Sequence, residues 1–115
     1  MKKEYSAMQE KVQEIALKSY RNQLVAGTSG NVSSYDRKHG VMAITASNLD
    51  YEIMEPDDVV LMTLEGDIIH NKGIHRPSSE WQMHAEIYKG LAHVNAVIHT
   101  HSPRATSFAV VHQDI

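Results

Sequence analysis

Apolar residues recur at steps of three and four over residues 4–24, which is the spacing of an amphipathic helix with one buried stripe. The stripe consists of Tyr5, Met8, Val12, Ile15, Ala16 and Tyr20. Short runs rich in β-branched residues follow and are separated by turn residues, a pattern that predicts strands. Four such strands are predicted, at residues 31–35, 41–46, 59–64 and 68–70. Because their connections are short, we expect neighbouring strands to pair antiparallel.

A second helix and a strand–helix unit complete the predicted elements. Pro77 and the serines after it are typical of a helix start, and the helix should run to about residue 88 or 91. Four of its residues are placed to pack: Trp81, His84, Ile87 and Tyr88. Residues 96–98 are a short apolar strand, and residues 104–111 contain a helical run. The elements predict an α/β fold of the α+β layered kind, in which a largely antiparallel sheet is flanked by helices.

The boundaries of the domain and its surroundings follow from length and composition. We expect residues 1–115 to form a single domain that is incomplete at its C-terminus, because the last apolar segment ends without a cap or a following strand. A net charge of −3 without a basic cluster argues against nucleic acid as a partner. No apolar run approaches the roughly 20 residues that span a bilayer, and the N-terminus lacks a signal-peptide core. A cytoplasmic protein without a membrane partner is expected.

Two histidines stand at the end of the strand at residues 96–98. His99 and His101 are two residues apart, and side chains alternate across a strand, so both imidazoles should leave the same face. Two converging imidazoles make half of a tetrahedral Zn²⁺ site or a related divalent site. The chain has no cysteine, so any transition metal must be held by histidine and carboxylate. In a chain with 8 histidines, the pair also fits structural or surface residues.

Three polar segments lie at the ends of predicted elements. Residues 27–34 combine two glycines with hydroxyl and amide side chains, which suits an anion-binding nest or a plain polar loop. Residues 45–48 bring further hydroxyl and amide groups to a strand end. Ser78, Ser79 and Glu80 fall at a helix N-terminus, where the free N–H groups favour a bound anion, although a simple cap also explains them.

Four ordered motifs together resemble a known family. They are Gly-Thr-Ser-Gly-Asn-Val-Ser from residue 27, Ile-Thr-Ala-Ser-Asn from 44, Pro-Ser-Ser-Glu from 77 and Ala-Val-Ile-His-Thr-His-Ser from 96. In this order they resemble the N-terminal half of the class II aldolase/adducin family, which includes L-fuculose-phosphate aldolase and L-ribulose-5-phosphate 4-epimerase. The resemblance runs from about residue 10 to residue 111.

The resemblance implies a role for individual residues. His99 and His101 would be zinc ligands, and Glu80 would be both the acid/base carboxylate and a zinc ligand in the absence of substrate. The residues implied to hold the substrate phosphate and nearby oxygens are Gly30, Asn31, Ser47, Asn48, Ser78 and Ser79. The second loop departs from the family's usual Thr-Pro-Ser/Thr-Gly, because it reads Thr-Ala-Ser-Asn from residue 45 and lacks the rigid proline and the glycine. The family's third zinc histidine lies in a later part of the family's chain.

The implied activity is zinc-dependent cleavage of a ketose 1-phosphate, of the L-fuculose 1-phosphate type, to dihydroxyacetone phosphate and an aldehyde. An epimerase of the L-ribulose-5-phosphate type is the alternative within the family, although epimerases generally carry Asp where this chain has Glu80. A non-catalytic, adducin-like domain is the alternative from another functional class. The resemblance also implies a sugar-phosphate substrate and a homo-oligomer, a tetramer.

Overall fold

The computed structural model describes residues 3–21, 30–47, 49–73, 75–101 and 106–111, with the side chains of residues 3, 4, 100, 101 and 106–111 outside the description. Its helices are α1 (Lys3–Arg21), a 3-10 helix (Pro56–Asp58) and α2 (Trp81–Gly90). Its strands are β1 (Asn31–Asp36), β2 (Val41–Ile44), β3 (Val60–Met62), β4 (Ile68–His70), β5 (Ala96–His101) and β6 (Thr106–Val111).

The strands form one sheet in the order β4-β3-β2-β1-β5-β6. Every neighbouring pair is antiparallel, which confirms the α/β fold with a largely antiparallel sheet. The β1–β2 turn closes as the pattern predicted: Gly40 has a φ of 69° and donates its N–H to Asp36 O at 2.8 Å. β1 lies near the middle of the sheet, with β2 on one side and β5 on the other, so its residues meet both neighbours.

The sheet is covered by a helix on each face, because side chains along each strand alternate between the two faces. On the α1 face, Val12 and Ala16 of α1 pack against strand residues such as Val32 and Leu61. On the α2 face, Ala85 and Tyr88 of α2 pack against a second set of strand residues: Met42, Ile44, Val60, Met62 and Val97. None of the helices in the described ranges is long and apolar enough to cross a membrane.

Two predictions about secondary structure were wrong. The helix predicted at residues 104–111 is instead a strand where the structure describes it, since Thr106–Val111 is β6 and pairs with β5 from His101 back to Ala96. Thr106, Phe108, Val110 and Val111 are of types that favour strands, and six paired positions on β5 outweigh the local helical spacing. The stretch 102–105, which contains the predicted helix entry, lies outside the described residues.

The start of α2 is the second correction. The helix begins at Trp81, with Glu80 at its N-cap, and not at the proline. Pro77 forms an isolated β-bridge with Ala46, and the N–H of Ser78 donates to Thr45 O at 2.9 Å. These contacts hold residues 77 and 78 extended against the end of β2, so the helix can begin only after them.

Candidate active site

A carboxylate and an imidazole meet on the α2 face of the sheet. Glu80 Oε2 lies 2.6 Å from His99 Nδ1, although the two residues come from different elements. His99 is buried in β5, whereas the side chain of Glu80 at the N-cap of α2 keeps about a third of its surface exposed. The pair therefore has one buried, fixed member and one member that a ligand from solvent can reach.

The donor set of this pair is of the type that suits zinc. Imidazole nitrogen and carboxylate oxygen are both common zinc ligands, and the chain has no cysteine to compete with them. Among the described residues, no cluster of three or more His, Cys, Asp or Glu side chains is close enough to hold a metal. His101 lies in β5 two residues after His99, but its side chain is outside the description, so its predicted role as a ligand is untested.

The second and third polar segments are joined to each other by backbone hydrogen bonds. The N–H of Ser47 donates to Arg76 O at 2.8 Å, next to the Ala46–Pro77 bridge. Ser78 is buried, and its Oγ accepts the N–H of Glu80 at 3.3 Å, while Ser79 is exposed. The structure thus brings Ser47 and Ser78 to the start of α2 beside Glu80. Asn48 lies outside the described residues.

The first polar segment is described only from Gly30, since residues 22–29 lie outside the description. Gly30 has a φ of 82°, a backbone conformation that favours glycine, and its carbonyl accepts the Tyr51 hydroxyl at 2.8 Å. Tyr51 also hydrogen-bonds the side chain of Thr45, and burial raises the pKa of Tyr51 to about 12, which keeps its hydroxyl protonated. Sequence reasoning missed Tyr51, which ties the first polar segment to the second.

Asn31 stands directly across from His99. The two residues are Cα partners in the β1–β5 ladder, and opposite residues of an antiparallel pair share one face of the sheet. Asn31 is buried, and its Oδ1 is hydrogen-bonded to His84 Nε2 of α2. Asn31, His99 and Glu80 therefore lie on the same side of the sheet, at the end of β1 where the first polar segment arrives.

His84 is a buried residue of the site to which the sequence assigned only packing. Its side chain is fully buried, and burial together with the nearby His99 lowers the pKa of His84 to about 3. The ring is therefore neutral at ordinary pH, with one nitrogen donating and the other accepting. One signal in the sequence could have indicated this role: His84 and Tyr88 are one helical turn apart on the buried stripe of α2.

Comparison with known proteins identifies the family. The sequence profile of the Class II Aldolase and Adducin N-terminal domain matches residues 10–115. The chain belongs to this family. It is 43% identical over 86 residues to a 5-deoxy-D-ribulose 1-phosphate aldolase from Bacillus thuringiensis serovar kurstaki, a match that covers 75% of this chain and 39% of that protein.

Solved structures of the family share the fold. An L-fuculose 1-phosphate aldolase superposes with a TM-score of 0.78 at 32% identity, over 84% of this chain and 45% of that one. An aldolase II superfamily protein from Pseudomonas syringae gives a TM-score of 0.79 at 15% identity, over 90% of this chain and 42% of that one, and so supports the fold alone. The chain therefore spans less than half the length of these relatives.

Proposed function

We propose that the protein containing this chain is a zinc-dependent class II aldolase that cleaves a ketose 1-phosphate to dihydroxyacetone phosphate and an aldehyde. The observation that carries the proposal is the 2.6 Å contact between Glu80 Oε2 and His99 Nδ1 beside Asn31 and Ser78. Two relatives named above are aldolases of ketose 1-phosphates, one of a deoxyribulose and one of a fuculose. These names support the substrate class, of which L-fuculose 1-phosphate is our preferred member.

The proposed metal ligands are His99, His101 and Glu80, with a third histidine implied by the family resemblance. When bound there, Zn²⁺ supplies Lewis-acid chemistry that stabilises the negative charge developing on the substrate as the carbon–carbon bond breaks. The burial of His99 would hold one of these ligands in place. The partial exposure of Glu80 would allow its carboxylate to contact either the metal or the substrate.

Glu80 is the proposed acid/base group. In the cleavage direction, its carboxyl group would deliver a proton to the dihydroxyacetone-phosphate carbon that has lost its bond to the aldehyde, and in the reverse direction its carboxylate would remove that proton. Its backbone is anchored by the hydrogen bond to Ser78 Oγ and by its position at the start of α2. Only the side chain therefore needs to move between the metal and the substrate.

The proposed phosphate site is formed by Gly30, Asn31, Ser47, Asn48, Ser78 and Ser79. The backbone hydrogen bonds between residues 45–47 and 76–78 support it, because they bring two of the three polar segments together at the start of α2. The dipole at a helix N-terminus favours an anion, and a phosphate is the anion that this substrate class carries. We further propose a cytoplasmic homotetramer on the family resemblance alone, which size-exclusion chromatography with light scattering would test.

The decisive experiment measures dihydroxyacetone phosphate released from L-fuculose 1-phosphate by the full-length protein. We expect chelation to abolish release, Zn²⁺ to restore it, and Glu80→Gln to lower it by about 10²- to 10⁴-fold, the usual contribution of an acid/base group. Glu86→Gln is the matched control, since Glu86 is an exposed carboxylate on the same helix, and it should leave the rate unchanged.

Other outcomes would reject the aldolase. Full activity after chelation, or an unchanged rate in Glu80→Gln, contradicts the proposed site. Conversion of L-ribulose 5-phosphate to its 4-epimer without release of dihydroxyacetone phosphate from the fuculose substrate would indicate the epimerase. No turnover of either substrate, with weak zinc binding, would indicate a non-catalytic, adducin-like domain.

A further inference from the structure

A line of four buried polar side chains crosses the α2 face and ends at the candidate site. Tyr88 OH lies 2.7 Å from Ser33 Oγ, Ser33 Oγ lies 2.6 Å from His84 Nδ1, and His84 Nε2 is hydrogen-bonded to Asn31 Oδ1. Each of the four residues is no more than 3% exposed. Tyr88 and His84 belong to α2, and Ser33 and Asn31 to β1, so the line connects the helix to the strand at two successive levels.

The hydrogen bonds in this line have a direction. An amide oxygen can only accept, so His84 Nε2 carries the hydrogen of the neutral ring and donates it to Asn31 Oδ1. Nδ1 of the same ring is then an acceptor, and the Ser33 hydroxyl donates to it. Because its hydrogen is used there, Ser33 Oγ accepts from the Tyr88 hydroxyl.

We propose that His84 is a positioning residue that fixes the side-chain amide of Asn31, so that its two Nδ2 hydrogens are the ones available to a phosphate oxygen of the substrate. The amide of an Asn can turn over and exchange its oxygen for its nitrogen, which would offer an acceptor in place of two donors. A donor at His84 Nε2 permits only one of the two orientations. The phosphate as ligand rests on the proposed function, whereas the fixed amide does not.

A purely structural role is a poor explanation for the line. Apolar side chains of similar volume would fill the same space, and replacing both partners of a buried hydrogen bond by apolar groups is often close to neutral for stability. The line also ends on Asn31, directly opposite His99. A group fixed in its binding orientation before the ligand arrives loses less side-chain freedom on binding, which favours affinity at this position.

Two variants at one position separate positioning from packing. The amide nitrogen of a Gln reaches where Nε2 of a His lies, so His84→Gln can still donate to Asn31. The amide of an Asn reaches only the position of Nδ1, so His84→Asn can bond Ser33 but not Asn31. We expect His84→Asn to weaken the binding of inorganic phosphate to the full-length protein about tenfold, and His84→Gln to bind within about threefold of the parent, as measured by calorimetric titration.

A double-mutant cycle tests whether His84 acts through Asn31. Asn31→Ala alone should lose the phosphate contact, and adding His84→Asn to it should cause no further loss. The ¹⁵N shifts of the His84 ring should show a neutral ring with its hydrogen on Nε2.

If His84→Asn does not fold, Ser33→Ala replaces it, because this variant removes the donor to Nδ1 of the ring. A phosphate affinity lowered a few-fold supports the proposal, and an unchanged affinity overturns it.

Several results would overturn the proposal: equal phosphate affinity in the Gln and Asn variants, a further tenfold loss in the double variant, a ring hydrogen on Nδ1, or no phosphate binding by the parent protein.

The proposed function is judged separately by release of dihydroxyacetone phosphate. Coupling between positions 84 and 31 without such release would reject the aldolase and keep the positioning role. If instead both His84→Asn and His84→Gln released dihydroxyacetone phosphate at the parent rate and with the same KM, the aldolase would be kept and the positioning role rejected.

Discussion

The two faces of the central sheet are both well buried and mainly apolar, but the α2 face also contains a line of buried polar side chains. On the α1 face, strand residues such as Val32, Ala43 and Leu61 meet the apolar stripe of α1. On the α2 face, the neighbouring positions of β1 are Asn31 and Ser33, and they are hydrogen-bonded to His84 and Tyr88 of α2.

This difference separates the contacts that stabilise the sheet from the contacts that orient polar groups at the candidate site. Hydrophobic contacts are non-directional, so they do not fix the orientation of a polar group. Buried polar groups impose an orientation on each partner and are costly when one bond is missing. We therefore expect substitutions on the α1 face to change stability alone, and substitutions in the polar line of the α2 face to change the proposed phosphate binding as well.

The largest effect on stability is expected from the α1 face. Leu61 is fully buried in β3, and Leu61→Ala should lower the free energy of unfolding by about 2–5 kcal/mol through lost burial and the cavity left behind. Urea denaturation measures this loss. Phosphate affinity and the His84 tautomer should not change, because Leu61 touches the opposite face.

The matched control is Ile53→Ala, at a side chain that is 69% exposed, where we expect a change within about 0.5 kcal/mol. If Leu61→Ala weakened phosphate binding as strongly as His84→Asn does, the two faces would be energetically coupled and the distinction between them would not hold.

The α2 face should also respond to acid, because of His84. Its pKa is about 3 in the folded protein against an ordinary value of 6.5, so between these values the unfolded chain binds a proton that the folded protein does not. Stability contributed by the neutral ring is present above pH 6.5 and is lost as the pH falls. The slope approaches about 1.4 kcal/mol per pH unit, or about 2–3 kcal/mol between pH 7 and 4.5.

Comparing variants isolates this contribution from that of the other titrating groups. The free energy of unfolding of His84→Gln, measured by urea denaturation across the same pH range, should fall less steeply than that of the parent by that amount. Parallel curves for the two proteins would show that His84 binds its proton equally well in the folded and unfolded states, and that the polar line does not hold the ring neutral.

Much of this fold could be predicted from local pattern. The spacing of apolar residues identified α1, the first four strands and α2, because each element has one regular spacing of apolar positions and is bounded by turn residues. The segment 106–111 could not be assigned in this way, because its residues fit either period and the deciding partner, β5, pairs with it only in three dimensions. The sheet order likewise depends on which strands meet, which local sequence does not encode.

The candidate site was predictable in its residue types but not in its connections. Glu80 and His99 were both identified, yet they are 19 positions apart, and their 2.6 Å contact depends on how α2 lies on β5. His84 was assigned to packing, as one of four residues on the inner side of the predicted second helix. The positioning role that we propose for it depends on Asn31 and Ser33, which contact it from β1.

The smallest expected effect lies at the far end of the polar line, where Arg37 caps α2. Its guanidinium donates to the carbonyls of Tyr88, Leu91 and Val94 at 3.0, 2.6 and 2.8 Å. Carbonyls at a helix C-terminus lack partners within the helix, so Arg37→Ala should lower stability by about 1 kcal/mol and speed hydrogen exchange in the last turn of α2. Lys38→Ala, at the next residue, which is also exposed, is the control and should change neither.

Arg37→Ala should also weaken phosphate binding slightly, by less than about threefold, because Tyr88 begins the line that ends at Asn31. Unchanged hydrogen exchange in α2 would show that the end of the helix is held by the sheet and not by Arg37.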